Sequence, residues 1–130
     1  MFLLDSNSLI HLFGGRGRVT ANFLQTPPQE IAIPVIALYE LETGIAKSSF
    51  PDKRRAQLDD LLSLLHVLPC GPAEARASAR IRADLEGRGL MIGPLDTLIA
   101  GTALSHSATL VTHNTDEFKR VQGLSLVDWY

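Results

Sequence analysis

Short, uninterrupted apolar segments alternate along this chain with segments that have helical spacing and proline or glycine boundaries. Strands that are buried on both faces are apolar at successive positions, and parallel strands need a long crossover, usually a helix, between them. The pattern therefore predicts an α/β fold, a three-layer α/β/α sandwich around a mostly parallel sheet of about five strands. The predicted strands are 1–4, 31–33, 67–68, 109–111 and 124–127.

Proline and glycine set most of the predicted helix boundaries. Pro51, Pro72 and Pro94 suit the first position of a helix, where the missing N–H is not needed. The helix that begins at Pro72 is expected to end near residue 86, because Gly87 and Gly89 follow it. The predicted helices are 6–12, 19–25, 36–46, one that begins at 51, 72–86 and 94–105, with a helical turn at 116–120.

Composition narrows the class of protein. A chain of 130 residues that is 45% hydrophobic fits a single domain, 1–130, with a sizeable core. It has no apolar run of the roughly 18 residues that a membrane span needs, and its short apolar start has no basic segment before it. Cys70 is the only cysteine, which excludes an internal disulfide and a cysteine-based zinc site. These features favour a soluble, cytoplasmic protein, and the net charge of -2 does not by itself indicate a nucleic-acid partner.

Three carboxylates lie beside apolar residues and have no Lys or Arg next to them: Asp5, Glu40 and Asp96. A carboxylate is costly to place beside a core unless it is solvated or paired. Asp5 follows the first strand and residues 112–114 follow a later one, so both face the crevice at the carboxyl ends of the strands. Oxygen ligands without His or Cys suit Mg²⁺ or Mn²⁺ rather than zinc. A phosphodiester is the natural substrate of such a site.

Each acid also has an ordinary structural explanation. Asp5 suits the cap of the next helix, Glu40 could face solvent, and Asp96 would favour the dipole of its helix from the first turn. Ala100 and Ala103 continue the helix face of Asp96. Their small side chains would either leave room for a substrate or allow close packing of helices.

The segment 112–118 is the last candidate, because it combines a strand end, a polar turn and an acid. Asn114 and Glu117 are three residues apart and could face one spot on a turn. Glu42, by contrast, is two residues from Glu40 on a predicted helix and should point elsewhere.

Four short motifs cover nearly the whole chain. They read LLDSN at 3–7, ELETG at 40–44, GPLD at 93–96 and LVTHNTDEF at 110–118, and the chain continues with RVQGL at 120–124 and DW at 128–129. In this order they resemble the motifs of PIN-domain ribonucleases, and in particular the VapC toxin branch of toxin–antitoxin modules. The resemblance implies one PIN domain over 1–130.

The activity implied by the resemblance is that of an Mg²⁺- or Mn²⁺-dependent endoribonuclease toxin that blocks translation. Matched position by position, Asp5, Glu40 and Asp96 are the catalytic, metal-binding acids. Asn114 stands where many PIN domains have an acid, and Glu117 is the nearby alternative for this fourth position. The GPLD sequence resembles the subgroup that cuts initiator tRNA in the anticodon loop. The implied partners are RNA, a VapB-type antitoxin and a second copy of the chain, with operator DNA bound only through the antitoxin.

Basic residues would bind the RNA phosphates next to the cut. The candidates are Arg16, Arg18 and the cluster Lys53, Arg54 and Arg55. Single-stranded loops are the expected targets, because their bases and backbone are more accessible than those of a duplex. The antitoxin would inhibit by filling the groove and offering a competing charged group to the acids.

Two other functions fit parts of the sequence. A phosphatase-like hydrolase with an Asp5 nucleophile would usually need a second acid two residues later, where Asn7 stands. A catalytically silent PIN module, acting only with its antitoxin on DNA, would have no need to keep the acids.

Overall fold

A central sheet of five parallel strands organises the computed structural model, which describes residues 1–130. In sheet order, the strands are β3 (His66–Leu68), β2 (Ile31–Pro34), β1 (Phe2–Leu4), β4 (Thr109–Val111) and β5 (Ser125–Val127). Every neighbouring pair is parallel, so the predicted parallel sheet is confirmed without an antiparallel edge.

Seven α-helices connect and cover the strands, together with a short 3₁₀ helix at Pro28–Glu30. They are α1 (Ser6–Gly14), α2 (Val19–Gln25), α3 (Val35–Ala46), α4 (Pro51–Leu62), α5 (Pro72–Arg88), α6 (Pro94–Ser105) and α7 (Thr115–Phe118). No helix combines the length and the apolar character that crossing a membrane would take.

The predicted helix starts at the three prolines are confirmed, but the predicted end of α5 is wrong. Gly87 stays inside the helix, and the chain leaves it only at Gly89. Gly89 has a φ of 67°, in the left-handed region that a helix-ending glycine commonly adopts. The helix therefore ends at Arg88, two residues later than predicted, because Gly89 and not Gly87 leaves the helical conformation.

Side chains of the strands alternate between the two faces of the sheet and build two cores. Leu4 and Val111 are fully buried in a core that includes residues of α1 to α4. Leu3 and Leu110 are fully buried in a second core with residues of α5, α6 and α7. Helices therefore cover both faces, which confirms the three-layer α/β/α sandwich.

Helices α5 and α6 pack unusually close together. A Cβ atom added to Gly101 of α6 would lie 2.8 Å from the backbone nitrogen and 2.9 Å from the Cα of Ser78 in α5. Ala100 and Ala103 are fully buried in the second core. Their small size thus serves packing, and the interpretation that they leave room for a substrate is wrong.

The strand order reverses beside β1, and this places the candidate site. The chain runs from β1 outward to β2 and β3, then returns to add β4 on the other side of β1. Such a switch point opens a crevice at the carboxyl ends of the strands. Helix α6 leads back into β4, so its first turn lies at this same edge. Residues that follow β1 and β4 and residues that begin α6 therefore meet there.

Candidate functional site

Asp5 is fixed at the carboxyl end of β1. Its backbone N–H donates to the carbonyl of Val111 at the end of β4, at 3.2 Å. Its Oδ1 accepts a hydrogen bond of 2.8 Å from the backbone N–H of Ser8, which caps α1. The residue is only 4% exposed. The capping role expected from sequence is thus present, and it holds the carboxylate at the crevice.

Glu40 lies on α3 and is joined to α1 by a side chain that sequence reasoning gave no role. The Ser6 hydroxyl donates to Glu40 Oε1 at 3.0 Å. Glu40 is half-buried, so it is not simply a solvent-facing glutamate. The position of Ser6 directly after Asp5 is the only feature of the sequence that points to it. Its partner Glu40 is 34 residues away, and no local pattern indicates that pairing.

Asp96 shows most directly that the candidate acids are close together. Burial, which is the largest cause, and the negative charges of Glu117, Glu40 and Asp5 together raise the pKa of its carboxyl group from 3.8 to about 6. No Lys or Arg forms an ion pair with any of these four acids. The fold therefore brings three carboxylates close enough to Asp96 to repel its charge, and none of the four acids is paired with a cationic side chain.

Glu42 differs from these four acids because it forms an ion pair with an arginine. Arg55 donates two hydrogen bonds to it, at 2.6 and 2.5 Å. These hydrogen bonds hold the pKa of Glu42 below its ordinary value. Glu42 is thus directed away from the candidate site, as predicted, and Arg55 is engaged with Glu42.

Asn114 and Glu117, the two alternatives for the fourth position, are hydrogen-bonded to each other. The Asn114 side-chain Nδ2 donates to Glu117 Oε2 at 2.9 Å, and an ionised carboxylate can only accept. The backbone N–H of Asn114 in turn donates to the Thr112 hydroxyl at 3.0 Å. Glu117 supplies the charge that acts on Asp96, and Asn114 orients Glu117.

The chemistry of this donor set fits a hard divalent cation. All of the groups present oxygen atoms, as Mg²⁺ and Mn²⁺ prefer. Unit like charges 4 Å apart repel by about 4 kcal/mol at an effective dielectric of 20, and a cation reverses the sign of that interaction. In this structure, no group of three His, Cys, Asp or Glu side chains lies close enough together to coordinate one metal ion. The assignment of individual metal ligands therefore stays a prediction.

An apolar groove of about 310 Å³ adjoins the acids, because Glu40 forms part of its wall. Its apolar lining comes from α1, α3 and α4: Ile10, Phe13, Leu41, Ile45 and Leu58. Arg54 also lines the groove, and it is the one basic candidate that does.

The other basic candidates are exposed residues that do not line this groove. Arg16, Arg18 and Lys53 are exposed and form no ion pair. Arg18 lies at the start of α2, and the Arg16 side chain lies over Gly14. Their contact with RNA stays a prediction.

Comparison with known sequences identifies relatives over almost the full length. The sequence matches the PIN domain family over residues 2–124. It is 34% identical to the tRNA(fMet)-specific endonuclease VapC of Shigella flexneri, over 98% of this chain and 97% of that protein. It is also 34% identical to Ribonuclease VapC2 of Rickettsia felis, over 99% of this chain and 98% of the relative.

Comparison with solved structures gives the same picture. The fold superposes with a TM-score of 0.91 on a chain of VapBC2 from Rickettsia felis bound to a promoter DNA fragment, at 33% identity over 99% and 98% of the two chains. DNA-bound VapBC from Salmonella typhimurium also gives a TM-score of 0.91, at 32% identity over 99% and 98%.

Proposed function

This chain belongs to the PIN-domain family, among the VapC ribonucleases, and from that premise we propose that it is the endoribonuclease toxin of a toxin–antitoxin pair. The observation that carries the proposal is the group of four acids without a cationic partner, whose repulsion contributes to the raised pKa of Asp96, about 6. A module that only held an antitoxin would gain nothing from such repulsion. The acids therefore favour the enzyme over the silent alternative.

The acids Asp5, Glu40, Asp96 and Glu117 would hold Mg²⁺ or Mn²⁺. When bound, the ion would stabilise negative charge on a phosphoryl oxygen and lower the pKa of a water nucleophile. Around it, Ser6 orients Glu40 through its hydroxyl and Asn114 orients Glu117 through its amide. Partners of this kind fix the direction in which a ligand presents its oxygen atoms.

We propose initiator tRNA, cut in its anticodon loop, as the substrate. The support is the GPLD sequence at 93–96 and the relatives from Shigella flexneri and Salmonella typhimurium, which are named tRNA(fMet)-specific endonucleases. Arg16, Arg18, Lys53 and Arg54 would bind the phosphates on either side of the cut.

A VapB-type antitoxin would bind the apolar groove. The groove shares Glu40 with the acids, so an apolar segment bound there could direct a basic side chain toward them. Complexes named VapBC have been solved for relatives, which supports this kind of partner. The variant Ile10→Glu, at a half-exposed groove residue, should abolish co-purification with the product of the adjacent reading frame and leave RNA cleavage intact. Unchanged co-purification would contradict this docking site.

Cleavage of purified initiator tRNA tests the activity, with elongator methionine tRNA as the comparison. We expect cutting with Mg²⁺ or Mn²⁺, none in EDTA, and a loss of about 100-fold or more in Asp5→Asn and Asp96→Asn, since even partners of metal ligands are worth 10–100-fold. Asp116→Asn, at an exposed acid of α7, is the matched control and should cut normally. If Asp5→Asn and Asp96→Asn cut as well as the parent, the assignment of the site is wrong.

The fourth position is tested by comparing Glu117→Gln with Asn114→Ala. Glu117→Gln removes a charge, whereas Asn114→Ala removes only the amide that orients it, so Glu117→Gln should weaken Mn²⁺ binding and cleavage more. A greater loss in Asn114→Ala would make Asn114 the ligand. An absence of Mn²⁺ binding in the parent protein would favour the silent module.

A further inference from the structure

Three aromatic side chains near the carboxyl edge of the sheet form a cluster that the proposed catalytic machinery does not use. The rings of His113 and Tyr130 are stacked, with centroids 4.3 Å apart and planes at 23°. His11 of α1 packs edge-on against both, at centroid distances of 6.0 Å from His113 and 4.9 Å from Tyr130. We call this group the aromatic cluster.

The segment 128–130 is anchored so that the stacked rings are held in place. The Asp128 carboxylate bonds His113 Nδ1 at 2.9 Å through one oxygen and accepts the backbone N–H of Tyr130 at 2.9 Å through the other. The carbonyl of Tyr130 accepts the backbone N–H of Arg18 at 2.6 Å.

Gly17 allows Tyr130 to lie close to the turn between α1 and α2. It has a φ of 59°, and a Cβ there would lie 2.4 Å from the Tyr130 carbonyl oxygen. The segment 128–130 therefore packs against the glycine-rich segment 14–17. Because both rings are positioned before any ligand arrives, binding would cost little side-chain entropy.

The stacked pair remains open to solvent. Tyr130 is 45% exposed and the His113 side chain is 52% exposed, whereas the neighbouring Trp129 is 6% exposed and packs on Phe2. Trp129 therefore serves the core, and the stacked pair leaves aromatic surface uncovered.

The aromatic cluster lies at the edge of the sheet that carries the acids. His113 directly precedes Asn114, which orients Glu117, and both follow the end of β4. His11 lies six residues after Asp5, roughly 9 Å along the helix axis at 1.5 Å per residue. Arg18, whose backbone N–H bonds Tyr130, is exposed and forms no ion pair, so it is free to bind a phosphate.

We propose that the stacked rings of His113 and Tyr130 bind an unpaired nucleobase of the RNA, beside the phosphate that is cut. The inference rests on the proposed ribonuclease function and adds a positioning site to it. Single-stranded RNA is recognised by stacking splayed bases on exposed aromatic rings. Each such stack contributes about 5- to 150-fold to affinity, from the 1–3 kcal/mol typical of alanine substitutions.

The test measures binding of an initiator-tRNA anticodon stem-loop in EDTA by fluorescence anisotropy. Each loop nucleotide is replaced in turn by an abasic one, and each RNA is titrated with the parent, Tyr130→Ala, His113→Ala and Tyr130→Phe. We expect Tyr130→Ala and His113→Ala to weaken binding of the intact loop by about 5- to 150-fold. Tyr130→Phe, which keeps the ring, should bind like the parent, as should Leu24→Ala at an exposed apolar residue of α2.

The abasic series separates a base-binding site from a merely structural cluster. One abasic position should weaken binding by the parent and should weaken binding by Tyr130→Ala by a smaller factor, because one of the two partner rings is already missing. The proposal is overturned if every abasic replacement weakens binding to the parent and to Tyr130→Ala by the same factor. It is also overturned if Tyr130→Ala binds the intact loop as tightly as the parent. Cleavage by the parent with Mg²⁺ is measured separately, so a failure of the ribonuclease function is distinguished from a failure of the base-binding site.

Discussion

At the scale of single residues, Asp96 carries a destabilising charge in the metal-free protein. Burial and the charges of Glu117, Glu40 and Asp5 raise its pKa from 3.8 to about 6. Between about pH 4 and pH 6 the folded protein binds more protons than the unfolded chain, so the contribution of Asp96 to the free energy of unfolding falls as pH rises through this window. The site is thus most strained at neutral pH.

Asp96→Asn should therefore stabilise the protein in EDTA. We expect a higher Tm than the parent at about pH 7.5 and a smaller difference at about pH 4.5, where the parent carboxyl is largely protonated. Thermal unfolding at the two pH values measures it, with the exposed Asp116→Asn as a control that should not shift Tm. An equal gain at both pH values would show that charge repulsion is not the cause.

Asp5 combines a charge with a helix cap, and two substitutions separate them. Asp5→Asn keeps an oxygen for the Ser8 N–H and loses the charge, whereas Asp5→Ala loses both. Both should lose RNA cleavage, but Asp5→Ala should be less stable than Asp5→Asn by about 1 kcal/mol in urea unfolding. Equal unfolding free energies would show that the capping bond contributes little to stability.

At the scale of elements, the contact between α5 and α6 depends on a missing side chain. Gly101→Ala would place a Cβ 2.8 Å from the backbone nitrogen of Ser78, so the helices would have to move apart. The expected cost is about 1–3 kcal/mol. Gly87→Ala, in α5 with nothing within 4 Å of its Cβ, should instead stabilise by about 0.5–1 kcal/mol. Chemical denaturation of both variants checks the pair, and a neutral Gly101→Ala would show that the helices can separate freely.

The elements themselves were largely predictable because their signals are local. Pro51, Pro72 and Pro94 begin helices where expected, and the strand segments were recognised by continuous apolar character. The order of the strands was not predictable, since the pairing of Phe2 with Thr109 depends on how distant helices pack.

The candidate site shows the same difference between what the local sequence predicts and what it does not. The motifs predict Asp5, Glu40, Asp96 and Glu117 as site residues, whereas some of the contacts around the site join residues that are distant in sequence. Ser6 bonds Glu40 from 34 positions away, and His113 bonds Asp128 from 15 positions away. Helical spacing also could not tell that Ala100 faces the core.

At the scale of the whole molecule, a cation bound by the acids would couple its binding to folding. A ligand that binds only the folded state stabilises it by about 2.7 kcal/mol at a concentration of 100 times its Kd. Mn²⁺ should therefore raise the Tm of the parent in a concentration-dependent way and have much less effect on Asp96→Asn. Differential scanning fluorimetry with increasing Mn²⁺ measures both. An equal shift in the two proteins would place the bound ion elsewhere.

The strand order also sets when the protein can become active during its synthesis. β1 is made first, but its neighbour β4 and the acids Asp96 and Glu117 are made after residue 90, and β1 cannot complete its pairing until then. A ribosome-bound nascent chain that has reached only β3 holds Asp5 and Glu40 without their partners. The four acids can therefore come together only late in translation, after Glu117 has been made and β4 has paired with β1.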